Sequence, residues 1–432
     1  MGNPLTKSGD VFFGRDDVFN SIREDLAGKS GHAMVLNGQR RIGKTSILYQ
    51  LHSHLPSEYI CILLDLQRFK IESLDGFLGE VALCIHQELE SYQIHLKPID
   101  FSIFKNNSLN AFEKLFLNEV FEAIGERRII LMVDETIRLQ QKVKSGILDD
   151  VVFGYIRHLT QEYEHITFLF TLSNSADEKE KNFNFMFLNA RYMKISFLDP
   201  NSAKSLIVNP INGIYKISDG AINKIQQITS RHPYFIQLIC NNLFARWQEQ
   251  PKDKLTTKDV DAVIITSVDF CSPVLGHIWN ESTSSEKAVL SALAILKTQN
   301  THQHITSKDI NEIWLNQNVR IPNGEMESAI EALALREIIF ATDHLEFAVD
   351  ILRNWISDQK HLEWVKEEIK ESIQSWHEKD SYLILDKLRV QITDPAMDKI
   401  HSLFLIDALM HALPGTAFVD SKSVLQQADY KY

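Results

Sequence analysis

The clearest chemistry in this 432-residue chain lies in one short stretch, Gly38-Gln39-Arg40-Arg41-Ile42-Gly43-Lys44-Thr45, which satisfies the pattern GxxxxGK[ST] at every fixed position. The spacing suits an oligophosphate. Gly38 and Gly43 allow positive φ and close approach of backbone amides to an anion. The loop amides, and a helix opening at Thr45 and Ser46, direct partial positive charge at phosphates. Lys44 is placed to reach the β- and γ-phosphates, and the Thr45 hydroxyl to ligate magnesium.

A second constellation completes a hydrolytic set. The apolar run Ile129-Ile130-Leu131-Met132-Val133 ends in Asp134-Glu135. At the end of a buried strand Asp134 is suited to hold magnesium through its water shell, and Glu135 to orient or deprotonate an attacking water. The run ITFLFTL over 166–172 ends in Ser173-Asn174-Ser175. If that strand lies beside the one before the phosphate loop, Asn174, or in second place Ser173, can sense the γ-phosphate. Arg40 and Arg41 are expected to pair with acids such as Glu135 or Asp65, the alternatives being a phosphate or a neighbouring subunit. The ligands that this set implies are ATP or ADP with Mg2+.

These residues need a scaffold, and the hydrophobic pattern supplies one. Strand-like runs at 33–37, 59–66, 128–133 and 166–172 alternate with helical spacing over 45–54, 74–92, 111–124 and 151–163. Apolar strands separated by helices predict a parallel sheet covered on both faces. Asn106-Asn107-Ser108 and 173–182 read as polar loops. Asp199 and Pro200 open a helix as N-cap and first helical residue, and to about 268 the chain reads as helices only. Three further helices, 286–297, one capped by Thr306 with Asp309, and 323–337, precede two short strands joined at Asp343-His344. That order is a winged-helix layout. Residues 350–376 read as one long helix, with Trp355, Trp364 and Trp376 as packing anchors. The expected fold is therefore an α/β P-loop NTPase domain with a parallel sheet over 1–196, an all-α lid over 197–275, a winged-helix domain over 280–358, and a helical C-terminal region with a polar tail over 359–432.

Composition narrows the function classes. Hydrophobic residues at 44% and charged residues at 24% allow an ordinary globular core. A net charge of −12 gives little overall attraction to nucleic-acid phosphates. The third helix of the last unit carries Glu325, Glu327, Glu331 and Glu337 against Arg336, which argues against DNA reading. Cys61, Cys84, Cys240 and Cys271 each sit in an apolar run with no CxxC pair, the pattern of buried free thiols in a reducing cytosol. No run approaches the ~18 apolar residues of a membrane span, and no signal peptide opens the chain. A cytoplasmic protein is expected; Met1-Gly2-Asn3 with Thr at position 6 resembles a myristoylation start, but no lipid anchor is expected. His52/His54 and His302/His304 form HxH pairs, but neither has a carboxylate or cysteine partner at ligand spacing nearby in sequence, so no metal site is expected.

Four stretches together resemble one family. Phe12-Phe13-Gly14-Arg15-Asp16-Asp17 resembles the hydrophobic-Gly-Arg-Glu box that opens the nucleotide-binding module of STAND ATPases, a branch of the AAA+ superfamily. GQRRIGKTSIL is similar to the phosphate loop of archaeal-type ATPases and bacterial STAND-like proteins. Leu64-Asp65-Leu66-Gln67 resembles their second-strand ending, and Thr229-Ser230-Arg231-His232-Pro233-Tyr234-Phe235 their Gly-His-Pro helix start. The likeness spans about 12–355. It implies that Gly14 and Arg15 flank the nucleotide and that Pro233 lies near adenine. It also implies a slow, regulatory ATPase that forms a homo-oligomer on activation and works with a separate effector or sensor chain. Archaeal origin-recognition ATPases share the same domain order and are the alternative. Arg231 replaces the family's Gly, and Val349 stands where the immune receptors of this class have a His that touches ADP, while Asp350 remains. Thr136 after Glu135 is polar where the group often has an apolar residue.

Overall fold

The structure, a computed structural model, describes residues 11–28, 33–173, 183, 186–299 and 304–377. Asn174, His302, the charge run 177–181, the Met1-Gly2-Asn3 start and the helices and polar tail expected beyond 377 lie outside the described residues.

The first half is a five-stranded parallel sheet. Its strands are β1 (Ala33–Gly38), β2 (Tyr59–Asp65), β3 (Arg128–Asp134), β4 (Ile166–Leu172) and β5 (Arg191–Ile195), in the order β2-β3-β4-β1-β5. Alternate residues face opposite sides of each strand. Met34, Leu36, Cys61, Ile130, Met132 and Leu169 pack on one face against α1 (Asp16–Ala27) and α2 (Lys44–His54). Ala33, Val35, Ile60, Ile62, Leu131, Phe168 and Phe170 pack on the other against α3 (Leu74–Ser91) and the helices that follow it. Burial on both faces is why these strands read as unbroken apolar runs. Strand β5 was not expected from the sequence. It lies at the sheet edge, and Arg191, Tyr192 and Lys194 are exposed, so its pattern lacks an apolar run.

The helices on that second face depart from the reading at Phe104–Asn110, at the turn after it, and at Ile137–Lys144, where no helix was expected. Asn106-Asn107-Ser108, expected as a loop, sits within α4 (Phe104–Asn110), with a kink at Asn107. A π-helical turn over Ala111–Leu117 then leads into α5 (Asn118–Ile124), so an expected single α-helix is underwound at its start. Leu109, Ala111, Phe112, Phe116 and Leu117 pack this irregular segment into the core, and burial overrides the polar local signal. Helices α6 (Ile137–Lys144) and α7 (Val151–Glu162) complete the layer.

From residue 198 the chain is a helical body. Asp199 caps α8 (Pro200–Val208) by accepting from the amides of Asn201 and Ser202. Next come α9 (Asp219–Thr229), α10 (Pro233–Glu249) and α11 (Thr257–Glu281). A two-residue parallel pair, β6 (Lys216–Ile217) with β7 (Lys254–Leu255), interrupts what read as helices only. Then α12 (Ser284–Gln299), α13 (Ser307–Leu315) and α14 (Asn323–Leu335) precede the antiparallel hairpin β8 (Ile339–Ala341) and β9 (Leu345–Phe347). Helix α11 runs unbroken through 275–280, the interval between the expected lid and third unit. One apolar cluster extends from Leu198 to Trp376, so both units share a core. α11 is also the one described helix long and apolar enough to cross a membrane by length and composition. Here it buries Val260, Val263, Cys271, Leu275 and Trp279 against its neighbours.

The expected long helix after residue 350 is broken. α15 (Asp350–Gln359) ends at Lys360, which adopts φ −125°, and α16 (Leu362–Glu368) starts afresh. The Lys360 ammonium lies over the rings of Trp279 and Trp355, at 5.0 and 5.6 Å, which fixes the break. Trp355 and Trp376 are buried, as expected of anchors, but Trp364 is 66% exposed. Trp279 lies at the centre of this junction: its ring is buried and its indole N–H donates to Glu368 at 3.0 Å. Replacing Trp279 by Ala should cost about 3–5 kcal/mol of stability in urea unfolding, whereas Trp364→Ala should stay within about 0.5 kcal/mol of the parent.

Candidate active site

The phosphate loop joins β1 to α2. Gly38 pairs with Ile195 of β5, and a Cβ built on it would stand 2.2 Å from the Ile195 carbonyl oxygen. Close packing, rather than positive φ, therefore demands glycine there. Gly43 does take φ +105° as the residue that opens α2. Ile42 is fully buried and anchors the loop from below. Lys44 is buried, and its ammonium donates to the carbonyls of Gly38 at 2.9 Å and Gln39 at 2.8 Å. Ser173 Oγ lies 3.5 Å from the same nitrogen. Burial pulls the Lys44 pKa down to about 8, against the opposing charges of Glu135 and Asp134. Ser46 lies one residue beyond Thr45, in the first turn of α2.

The acidic pair stands opposite. The Thr45 hydroxyl donates to Asp134 Oδ2 at 2.7 Å. Asp134 Oδ1 accepts from the Thr171 hydroxyl at 2.6 Å and from the Glu135 amide at 3.1 Å. Sheet order makes this possible, because β3 and β1 both neighbour β4, the strand that carries Thr171. Glu135 adopts φ +55°, and its amide also donates to Thr171 Oγ1 at 3.0 Å. Burial and then the Asp134 charge raise the Glu135 pKa, while Arg40 and Lys44 oppose the shift. A carboxylate with raised basicity suits proton abstraction. The donor set at Thr45 and Asp134 is all oxygen, which fits a hard divalent cation such as Mg2+. Thr136 is fully buried and donates to the Val133 carbonyl, so its hydroxyl serves the turn after β3.

The flanking candidates divide. Arg15, in the left-handed region at the start of α1, donates to the Ile42 carbonyl at 3.1 Å and so braces the loop from outside. Gly14 faces Ser202 at the start of α8. Pro233 is the first residue of α10, and His232 before it is buried with Nδ1 unpartnered. Burial, then the charges of Arg15 and Lys44, push the His232 pKa down to about 3. Arg231 takes φ +62°, a backbone setting that suits the Gly found there in the family, and is held by its side-chain donation to the Leu198 carbonyl at 3.0 Å.

Arg40 and Arg41 are not held by acids. Arg40 reaches His277 Nε2 at 2.7 Å, and the Arg41 guanidinium lies 4.6 Å over the ring of Tyr234. Asp65 is instead paired with Arg68 at 2.9 Å. The loop arginines turn outward because the helical body offers partners on that side. Gln39 does the same, donating to the carbonyls of Arg336 at 2.8 Å and Glu337 at 2.6 Å. Glu337, at φ +55°, in turn accepts from Ser196 at 2.7 Å and Lys194 at 2.9 Å. The helical body thus meets the loop through Arg336 and Glu337.

Sequence reasoning gave no role in the site to Thr171, His232 or Glu337. Thr171 had a partial signal, as the second of two hydroxyls in the run ITFLFTL and the one nearer the strand end. Glu337 had none, since its role comes from a contact nearly 300 positions away. Cys84 and Cys240 are half-buried rather than buried, and all four cysteines are free thiols.

A parallel sheet with this loop, acid pair and helical body defines a P-loop ATPase. Residues 12–239 match a family described as an ATPase domain predominantly from Archaea, and the chain belongs to that family. Among solved structures, a Walker-type ATPase of Pyrococcus abyssi is similar, with TM-score 0.61 and 13% identity over 82% of this chain and 98% of that one. The ORC2 protein of Aeropyrum pernix follows at TM-score 0.42 and 12% identity, covering 81% and 95%. Cdc6p from Pyrobaculum aerophilum follows at 0.41 and 14%, covering 86% and 98%. No curated protein sequence matches the chain.

Thr171→Val removes one donor and one acceptor from the acid pair. Hydrogen bonds to charged groups are worth about 1.5–3 kcal/mol, so phosphate release at saturating ATP should fall by about tenfold or more with the circular dichroism spectrum unchanged. His232 titrates near 6.5 when unfolded and near 3 when folded. Its contribution to stability is thus present above pH 6.5 and lost as pH falls towards 3. Between pH 7 and pH 5 that amounts to about 2 kcal/mol. The melting temperature of His232→Gln should fall less over that interval than the parent's.

Proposed function

We propose that the chain is a nucleotide-dependent conformational switch of the STAND type, built on an AAA+ scaffold. ATP with Mg2+ occupies the loop at 38–46, and turnover is slow enough for the nucleotide state to persist. Lys44 exchanges its carbonyl partners for the β- and γ-phosphates. Thr45 and Asp134 hold the metal, and Glu135 takes the proton of the attacking water. Ser173, within reach of Lys44, and Asn174 sense the γ-phosphate. Residues 197–275 form the lid, with Pro233 near adenine, and 280–358 form a winged helix. Magnesium, when bound, supplies charge neutralisation between the phosphates.

The observation that carries this reading is Gln39. This side chain of the phosphate loop donates to the carbonyls of Arg336 and Glu337 in the helical body. A change in the loop on nucleotide exchange must therefore be felt 300 residues away in sequence. Glu337 takes the place of the family's missing His at Val349 as the latch. The released body presents an oligomerising surface to further copies or to a separate effector chain. DNA reading finds no support in α14, where Glu325, Glu327 and Glu331 face outward or half-outward and Arg336 is buried against Glu286 at 2.6 Å.

Light scattering with ADP, ATP and a non-hydrolysable analogue tests the switch. Glu135→Gln with ATP should shift the chain to a larger assembly, and Gln39→Ala should do so at lower ATP. Fast turnover by a monomer whose mass never responds to nucleotide would overturn the reading. Salt-sensitive, sub-micromolar binding of duplex DNA would replace it with the origin-recognition alternative.

A further inference from the structure

We propose that His304, Asp343 and His344 form a binding site for a divalent cation of the zinc class at the tip of the β8–β9 hairpin. Along the chain, His304 has no metal-ligating partner at ligand spacing except a second histidine. The fold supplies two. Leu345 donates its amide to the Ile305 carbonyl at 2.7 Å, so the segment before α13 runs alongside β9 and sets His304 against the hairpin turn. One ligand atom from each of His304, Asp343 and His344 lies within 4.8 Å of the other two.

The arrangement exceeds an ordinary ion pair. His344 Nδ1 stands 2.7 Å from Asp343 Oδ1, while His304 Nδ1 stands 3.9 Å from Oδ2 of the same carboxylate. Two imidazoles thus face the two oxygens of one acid, with ring centroids 4.8 Å apart at 72°. Zinc ligands at about 2.0–2.2 Å in tetrahedral array stand roughly 3.4 Å from one another. Shifts of about 1.4 Å or less at the ends of the exposed His304 and Asp343 side chains meet that spacing. Two imidazole nitrogens with one carboxylate select zinc and its neighbours over Mg2+ or Ca2+.

An outer support is already present. The other ring nitrogen of His344, Nε2, is 3.4 Å from Glu346 Oε1, and that oxygen accepts from the buried Lys297 at 2.9 Å. A carboxylate behind a ligating imidazole fixes its tautomer and orientation. Because Glu346 is committed to Lys297, the cluster offers three protein ligands and leaves a fourth position. Asp343 and His344 also line a cavity of about 420 Å³ between α14 and the hairpin, where Glu327 and Glu331 add negative charge. Water or a side chain of a docking partner would complete the shell. The site shares no residue with the phosphate loop.

Isothermal titration of the full-length protein with zinc chloride, in the presence of excess Mg2+, tests the proposal. One zinc per chain is expected, with a rise in melting temperature. His344→Ala and His304→Ala should each weaken binding at least tenfold, and Asp343→Asn, an exposed substitution, should do the same if either histidine variant folds poorly. His52→Ala, in the other HxH pair, should leave the affinity unchanged. Absence of a stoichiometric zinc site, or one whose affinity survives all three ligand substitutions, would overturn the assignment.

Discussion

The site depends on one buried carboxylate. Asp134 is 5% exposed, and an acid so placed is costly unless its oxygens are satisfied. Thr45 takes one oxygen, and Thr171 with the Glu135 amide takes the other. These bonds tie the start of α2, the end of β3 and the end of β4 to a single point. The phosphate loop, the acid pair and Ser173 therefore move together. The left-handed setting of Glu135 belongs to the same knot, because it aims the amide at both Asp134 and Thr171.

A second constraint is the continuity of the helical body. Its apolar cluster runs from Leu198 to Trp376, and α11 threads through the interval where two units were expected to separate. A body built this way responds as one piece. Its contact with the loop is polar and narrow, resting on Gln39, Arg40, Arg41 and the carbonyls at 336–337. At the phosphate loop itself these are a few exchangeable bonds, which suits a switch.

Strain is concentrated at that junction. Arg15, Arg41, Glu135, Ser230, Arg231 and Glu337 all adopt positive φ without being glycine. Each such setting costs on the order of 1–2 kcal/mol unless the surroundings impose it. Hydrogen bonds from Arg15 to Ile42, from Arg231 to Leu198, and from Gln39 to Glu337 supply the offset. The departure of Arg231 from the family's glycine is thus accommodated by its own side chain.

Local pattern was enough to locate β1 to β4, the helices α2, α3, α5 and α7, the phosphate loop and the Asp134-Glu135 pair. These signals are legible because they arise from chain-local physics: a strand buried on both faces must be apolar throughout, and a phosphate loop needs its glycines and lysine at fixed spacing. The sequence could not reveal β5, whose edge position leaves it half polar, or the kinked α4, whose exposed Asn107 and Asn110 read as a polar loop. Nor could it show that Arg40 and Arg41 would turn to His277 and Tyr234. The bonds of Thr171 to the acid pair, the role of the Arg336 and Glu337 carbonyls, and the meeting of His304 with Asp343 and His344 were decided by tertiary structure. Each joins positions far apart in the chain, and only the sheet order and the packing of the helical body bring them within hydrogen-bonding distance or close to it.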